Sequence, residues 1–322
     1  MDETAAAEAI ATLGGETMGT TWSVRLNAAR DADLHALHAG IELQLAGIVR
    51  QMSTWEAGSD ISRYNRAAPG SWHPMAPEFR QVLDCALEVA GASDGAFDPS
   101  VGPLVGLWGF GAHARRDLPA AGDLQEARLQ VDWRRVQIDQ TRGQLFQPGG
   151  LQLDFSAIAK GFGVDAVGAH LRDAGISGAL VEVGGELYGF GARPDGQPWR
   201  VLVEAGPEEE DHDLEPRILV LNRLAVASSG DRWHHYQRDG RRYTHTIDPR
   251  LGEPGLHAPA AVTVLAEEAM RADAWATALT VLGADAGLEL ATRLGLAARF
   301  LDRTVDGLRE RMTDGFRRHL AA

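Results

Sequence analysis

The chain has 322 residues, 44% of them hydrophobic and 24% charged, enough to enclose one large core or two modest ones. Its 45 acidic residues against 31 basic ones give a formal charge of −14, which argues against a globally basic nucleic-acid binder. A single cysteine, Cys85, excludes an intrachain disulfide framework and a cysteine-cluster metal site.

The opening residues, Met1 to Glu8, are acidic where a secretory leader would be basic, and no apolar run approaches the roughly 20 residues of a membrane span. The expectation is a soluble, cytoplasmic chain without an anchor, exported only if a leader was removed, with a disordered tail possible over 1–12. Thr20 to Leu26 reads as a strand. A helix is expected from about Asp31 to Met52, where Leu34, Leu37, Ile41, Leu45 and Ile48 recur at helical spacing. Gly58, Pro69, Gly70, Pro74 and Pro77 mark 53–77 as a loop. A second helix follows from Glu78 to Ser93, with Phe79, Val82, Leu83, Ala86 and Val89 on its apolar face and Cys85 as a small buried hydrophobe.

Residues 95–111, GAFDPSVGPLVGLWGFG, are apolar yet rich in glycine and proline, with Asp98 the one charge. Such a stretch suits a close-packed loop at a core edge or against a ligand. Beyond Val131, strand candidates at 131–138, 151–154, 178–183, 187–192, 199–204, 217–222, 232–238 and 241–247 alternate with turns. Asp239-Gly240 signals a hairpin between the last two. Glu204 to Glu215 holds seven acidic side chains and reads as an exposed solubilising loop. Helices are expected at 158–173, 267–281 and 284–293, and a strand after Leu296. No linker or tandem repeat divides the chain. The pattern predicts one domain over 1–322, of α+β class with a substantial antiparallel sheet and packed helices. A doubly wound dinucleotide fold lacks its Gly-x-Gly-x-x-Gly opening here.

Three segments carry candidate chemistry. In 154–165, DFSAIAKGFGVD, a strand is expected to arrive at Asp154 and a helix to start near Ile158, with Ser156 as its cap. Free backbone N–H groups at such a junction suit a pyrophosphate. Lys160 is the only lysine among the 31 basic residues, and an ammonium meets phosphate differently from a guanidinium. The plain alternative is a lysine on a helix surface. Asp273 and Thr277, at i and i+4, share a helical face and offer two hard oxygens to Mg²⁺; equally, one can cap its helix and the other bond its own backbone. In 243–249, Tyr243, His245 and Ile247 share one strand face, and His245 is placed either to accept a proton from a hydroxyl nucleophile or to sit hydrogen-bonded in the sheet. Glycines in 16–21 and 183–186 permit tight turns or close ligand approach.

Taken in order, MGTTWSV (18–24), the 95–111 stretch, DFSAIAKGFGVDAV (154–167), VEVGGELYGFG (181–191), SSGDRW (228–233), THTIDPRLGEP (244–254) and ADAWATAL (272–279) resemble the FAD:protein FMN transferase family, the ApbE family. The resemblance covers most of the chain. It implies an α+β fold holding a flavin site between two lobes. It further implies Mg²⁺-dependent cleavage of FAD, with FMN attached by a phosphoester to a Thr or Ser of a target flavoprotein and AMP released. By the same resemblance the metal ligands are the Ala157 carbonyl, Asp273 and Thr277. Flavin or nucleotide contacts fall to Met18, Ala96, Phe97, Asp98, Asp154, Lys160 and Ile247. Catalytic roles fall to Lys160, Asp273 and His245, the last as base. The GGE ending at Glu186 departs from the commoner GGD and is expected to shift a flavin-side contact, while Leu251-Gly252 departs within a turn. Expected partners are FAD and a cytoplasmic acceptor flavoprotein, with no nucleic acid. Two other readings share these motifs: a Mg²⁺-dependent FAD pyrophosphatase yielding FMN and AMP, and a noncatalytic FAD-binding module.

Overall fold

In the computed structural model, residues 8–111, 118–203, 214–215, 217–230, 235–238, 241–255, 258–305 and 307–321 are described. β1 (Ala9–Thr17) pairs antiparallel with β2 (Thr20–Ala28) through a turn at Met18-Gly19. Both turn residues have positive φ, a conformation that costs Met18 more than glycine. Within β2, Trp22, Val24 and Leu26 are buried while Arg25 is exposed, the alternation of a strand with one face on the core. β1 corrects the tail expected over 1–12, because Ala9 to Thr12 lie in a strand. Its small residues carry little apolar pattern, and pairing with β2 orders them; 1–7 lie outside the described residues.

α1 (Leu34–Met52) starts at Asp33, whose side chain accepts from the Ala36 N–H, and buries Ile41, Leu45, Ile48 and Met52. The expected 53–77 loop contains α2 (Asp60–Asn65) and β3 (Ser71–Pro74). α3 (Pro77–Ala92) buries Cys85, and burial pushes that thiol up to about 12, which leaves it unreactive. The apolar 95–111 stretch packs around a short helix, α4 (Gly102–Leu107). α5 (Ala121–Gln130), β4 (Gln137–Asp139) and β5 (Gln144–Gln147) follow, and β3, β5 and β4 form a small sheet in that order.

The strand expected at 151–154 does not form. The Asn65 side chain takes both backbone bonds of Leu153, at 2.8 Å each, in place of a ladder partner. α6 (Ala159–Asp173) comes next, then β6 (Ala179–Val183), β7 (Glu186–Phe190), β8 (Trp199–Val203), β9 (Arg217–Leu221) and β10 (Leu224–Gly230). β11 (His235–Arg238) and β12 (Arg241–Thr244) pair in a register that brackets Asp239-Gly240; those two residues, like 204–213, lie outside the described set. β13 (Ile247–Asp248), β14 (Glu253–Pro254), β15 (Ala261–Ala266), α7 (Ala269–Leu282), α8 (Ala284–Leu294), β16 (Ala297–Thr304), β17 (Gly307–Met312) and α9 (Asp314–Arg317) complete the chain.

Eight strands form one antiparallel sheet in the order β1-β2-β6-β7-β10-β15-β16-β17, so the class is α+β. α6 and α7 cover one face, backed by α1 and α3, and most of the core lies there. The β8–β9 ribbon and α9 cover part of the other face through Leu219, Leu221 and Phe316. Among the described residues no helix is long and apolar enough to cross a membrane.

Candidate active site

The site begins where α6 meets α7. A Cβ on Gly161 would lie 2.4 Å from the Ala269 carbonyl oxygen, so only glycine permits this approach. The Gly161 N–H donates to Oδ2 of the buried Asp273, 3.1 Å away. α7 lacks a side-chain cap of its own; Asp165 of α6 supplies one, accepting from Ala269 N–H at 2.7 Å and Met270 N–H at 2.9 Å. Burial pushes Asp165 up to about 7 against the pull of those two donors. Asp273 thus lies inside α7 rather than capping it, and Thr280 is the residue that bonds back to its own helix, through the Ala276 carbonyl.

Ser156 does not cap α6. The cap position is Ile158, with no side-chain bond, while the Ser156 N–H and hydroxyl both donate to Asp154 Oδ1, at 2.8 and 2.5 Å. An aspartate two residues before a serine closes this turn on itself. The same device recurs at Asp98 and Ser100, with Trp133 N–H donating to the other Asp98 oxygen at 3.1 Å. Burial raises Asp98 above the usual carboxylate range despite those donors.

Lys160, in the first turn of α6, donates from Nζ to Glu186 Oε1 at 2.5 Å. Glu186 is 4% exposed and Lys160 30% exposed. Burial works against the Lys160 charge, but Asp273 and Glu186 outweigh it and hold the ammonium above its ordinary range. Burial and the nearby Asp273 together push Glu186 well above the carboxylate range; burial also raises Asp273, with Lys160 opposing. The Glu186 side chain faces Lys160 and forms an ion pair with it.

The continuous strand expected over 241–247 breaks at His245, between β12 and β13. The Thr244 hydroxyl donates across the bend to the Thr246 carbonyl at 3.2 Å. His245 is half-buried, its ring 6.5 Å from that of Phe110 in an edge-on contact.

One cavity of about 1350 Å³ joins these pieces. Lys160, Asp273, Thr277 and Ala157 line it, as do His245, Ile247 and Ala96 to Asp98, with Met18 and Asp154 completing the set of residues expected from the sequence. Glu186 also lines it, and its signal was legible as the acid directly after Gly184-Gly185. Exposed Trp55, in the turn that follows α1, lines it too, without any motif that marked it beforehand.

The chemistry of three lining residues suits a hard divalent cation: Asp273 offers a carboxylate, Thr277 one turn later a hydroxyl and Ala157 a backbone carbonyl, all oxygens. Asp273 and Glu186 in their ionised forms set two buried negative charges against one ammonium, and Glu186 Oε2 is buried without a hydrogen-bond partner. No three His, Cys, Asp or Glu side chains gather into a cage among the described residues, so a cation here would draw much of its shell from water or ligand oxygens.

The model of the ApbE family matches residues 18–300. The apo crystal structure of Pseudomonas stutzeri flavinyl transferase ApbE matches with a TM-score of 0.90 at 38% identity, covering 98% of each chain. The flavin transferase ApbE from Vibrio cholerae matches at 0.89 and 34%, over 97% of this chain and 100% of that one. A FAD:protein FMN transferase of Haemophilus influenzae is 33% identical over 316 residues, 96% of this chain and 91% of its own length.

Proposed function

The chain belongs to the ApbE family, and on that premise we propose that it is a FAD:protein FMN transferase, with 1–322 working as one unit. The observation that carries the reading is convergence. Lys160 and the Asp273–Thr277 face, on different helices, meet in one cavity with the glycine-rich and apolar segments expected to hold a flavin dinucleotide.

In this reading Met18, Ala96, Phe97 and Ile247 give the flavin an apolar bed, and Asp98 and Asp154 fix its polar edge. The Lys160 ammonium lies against the diphosphate and offsets charge gathering on its non-bridging oxygens. Asp273, Thr277 and the Ala157 carbonyl would hold Mg²⁺, which when bound supplies further charge neutralisation at the phosphoryl oxygens. His245 accepts the proton of a Thr or Ser hydroxyl on the acceptor. The hydroxyl oxygen forms a bond to the FMN phosphorus, the bond from that phosphorus to the bridging oxygen breaks, and AMP leaves with the electron pair. The acceptor is a flavoprotein, and the compartment we propose is the cytoplasm, which cell fractionation tests.

Incubation with FAD, Mg²⁺ and a candidate acceptor tests the activity. Flavin fluorescence that stays on the acceptor through denaturing electrophoresis, with AMP released, supports transfer. Free FMN and AMP with a dark acceptor replaces this reading with a pyrophosphatase, and intact FAD replaces it with a binding module.

A further inference from the structure

Two features aim the Lys160 side chain. Its stem lies against the β6–β7 turn, where a Cβ on Gly184 would come 3.1 Å from Lys160 Cδ and 2.8 Å from Thr20 Cγ2. Gly184 also has a φ of 60°, so both space and backbone conformation favour glycine there. Beyond the turn, Glu186 takes the ammonium through Oε1. The Glu186 side chain is buried and the Lys160 side chain is the more exposed of the two, and both residues line the cavity.

This pair is a poor device for stability. A buried carboxylate with one unpartnered oxygen loses hydration that a single ion pair does not restore. It is better suited to orientation. An ammonium has three N–H donors, and Glu186 takes one of them. A guanidinium would tend to lie flat against Glu186 with paired bonds, whereas a tetrahedral ammonium bonds a carboxylate on one side and an anion on another. That geometry gives a reason for one lysine among 30 arginines.

We propose that Glu186 is a positioning residue: it pins the Lys160 ammonium by one N–H so that the remaining donors face a diphosphate entering the cavity. The identity of that anion rests on the flavin-dinucleotide reading above; the pinning does not.

Because Lys160 is the only lysine, protein grown with lysine labelled with ¹⁵N at Nζ carries one labelled side-chain ammonium. The signal is recorded for the wild type, E186Q and E186A, without ligand and with inorganic pyrophosphate, and turnover of FAD with Mg²⁺ is measured on the same samples. E186Q matches the glutamate in size and guards against loss of fold. The expected wild-type signal is slowly exchanging and shifts with pyrophosphate. In E186A it moves to the position and fast exchange of a free lysine, with E186Q intermediate. Turnover in E186A falls roughly a hundredfold, the scale of a misplaced catalytic group, with KM changed much less. Lysine signals alike in all three proteins, or full turnover in both variants, overturns the inference. A wild type that leaves FAD intact overturns the transferase reading, and the lysine signal alone then decides the pinning.

Discussion

The two sides of the cavity are built differently. On the α6–α7 side, Lys160 and Asp273 are brought together by a helix crossing that tolerates no side chain at Gly161, and Glu186 reaches them from β7; burial raises both carboxylates, and these in turn hold the Lys160 ammonium above its ordinary range. On the other side, His245 lies half-buried at a bend between two short strands. The first side concentrates charge and suits holding an anion with its counter-cation. The second leaves a side chain within reach of a visiting group. The contrast teaches that one site can separate electrostatic preorganisation from access, because burial strengthens charge but also blocks a large acceptor.

This contrast can be broken at several points. The largest expected effect is on the open side: H245Q lowers FMN transfer by roughly 10²–10⁴-fold, the range for loss of a general base, while FAD affinity by flavin fluorescence is retained. D273N lowers Mg²⁺-dependent FAD cleavage by roughly 10²–10³-fold, the range for loss of a preorganised electrostatic group, and the far-ultraviolet spectrum stays that of the wild type. Equal damage to FAD binding by both substitutions would erase the distinction between the two sides. G161A strikes the crossing itself and is expected to cost about 1–3 kcal/mol in urea unfolding, as overpacking does, with turnover reduced alongside.

The smallest effect concerns the α7 cap. Asp165 titrates at about 7 in the fold against an ordinary 3.8, so the folded chain holds its proton more tightly than the unfolded one. Its contribution to stability is therefore full below pH 3.8 and is lost as pH rises through 7. The thermal midpoint of D165N should fall less steeply between pH 5 and 8 than that of the wild type. Parallel slopes would mean that the cap does not couple to pH.

Much of the architecture was legible from periodicity. α1, α3, α6, α7 and α8 lie within a few residues of their expected spans, since each carries apolar residues at helical spacing. β1 was not, because its small residues show no clean alternation and it exists as a partner of β2. Residues 151–154 read as a strand from composition, yet Asn65, far away in sequence, took the backbone bonds. Ser156 has the chemistry of a cap and spends it on Asp154, a competition between local hydrogen bonds that residue type does not decide. Glu186 was visible only as a variation after two glycines; its ion pair with a lysine 26 positions earlier was not.

By itself the sequence determined the helices, the glycine turns and the residue types able to bind phosphate and a hard cation, because those depend on local spacing and side-chain chemistry. Tertiary structure alone decided that Glu186 meets Lys160, that Asp273 meets the N–H of Gly161 across 112 positions, and that His245 faces the same cavity. The physical reason is that charge and hydrogen bonding act over a few ångströms in space, and separation along the chain does not set that distance until α6 and α7 have packed on the sheet.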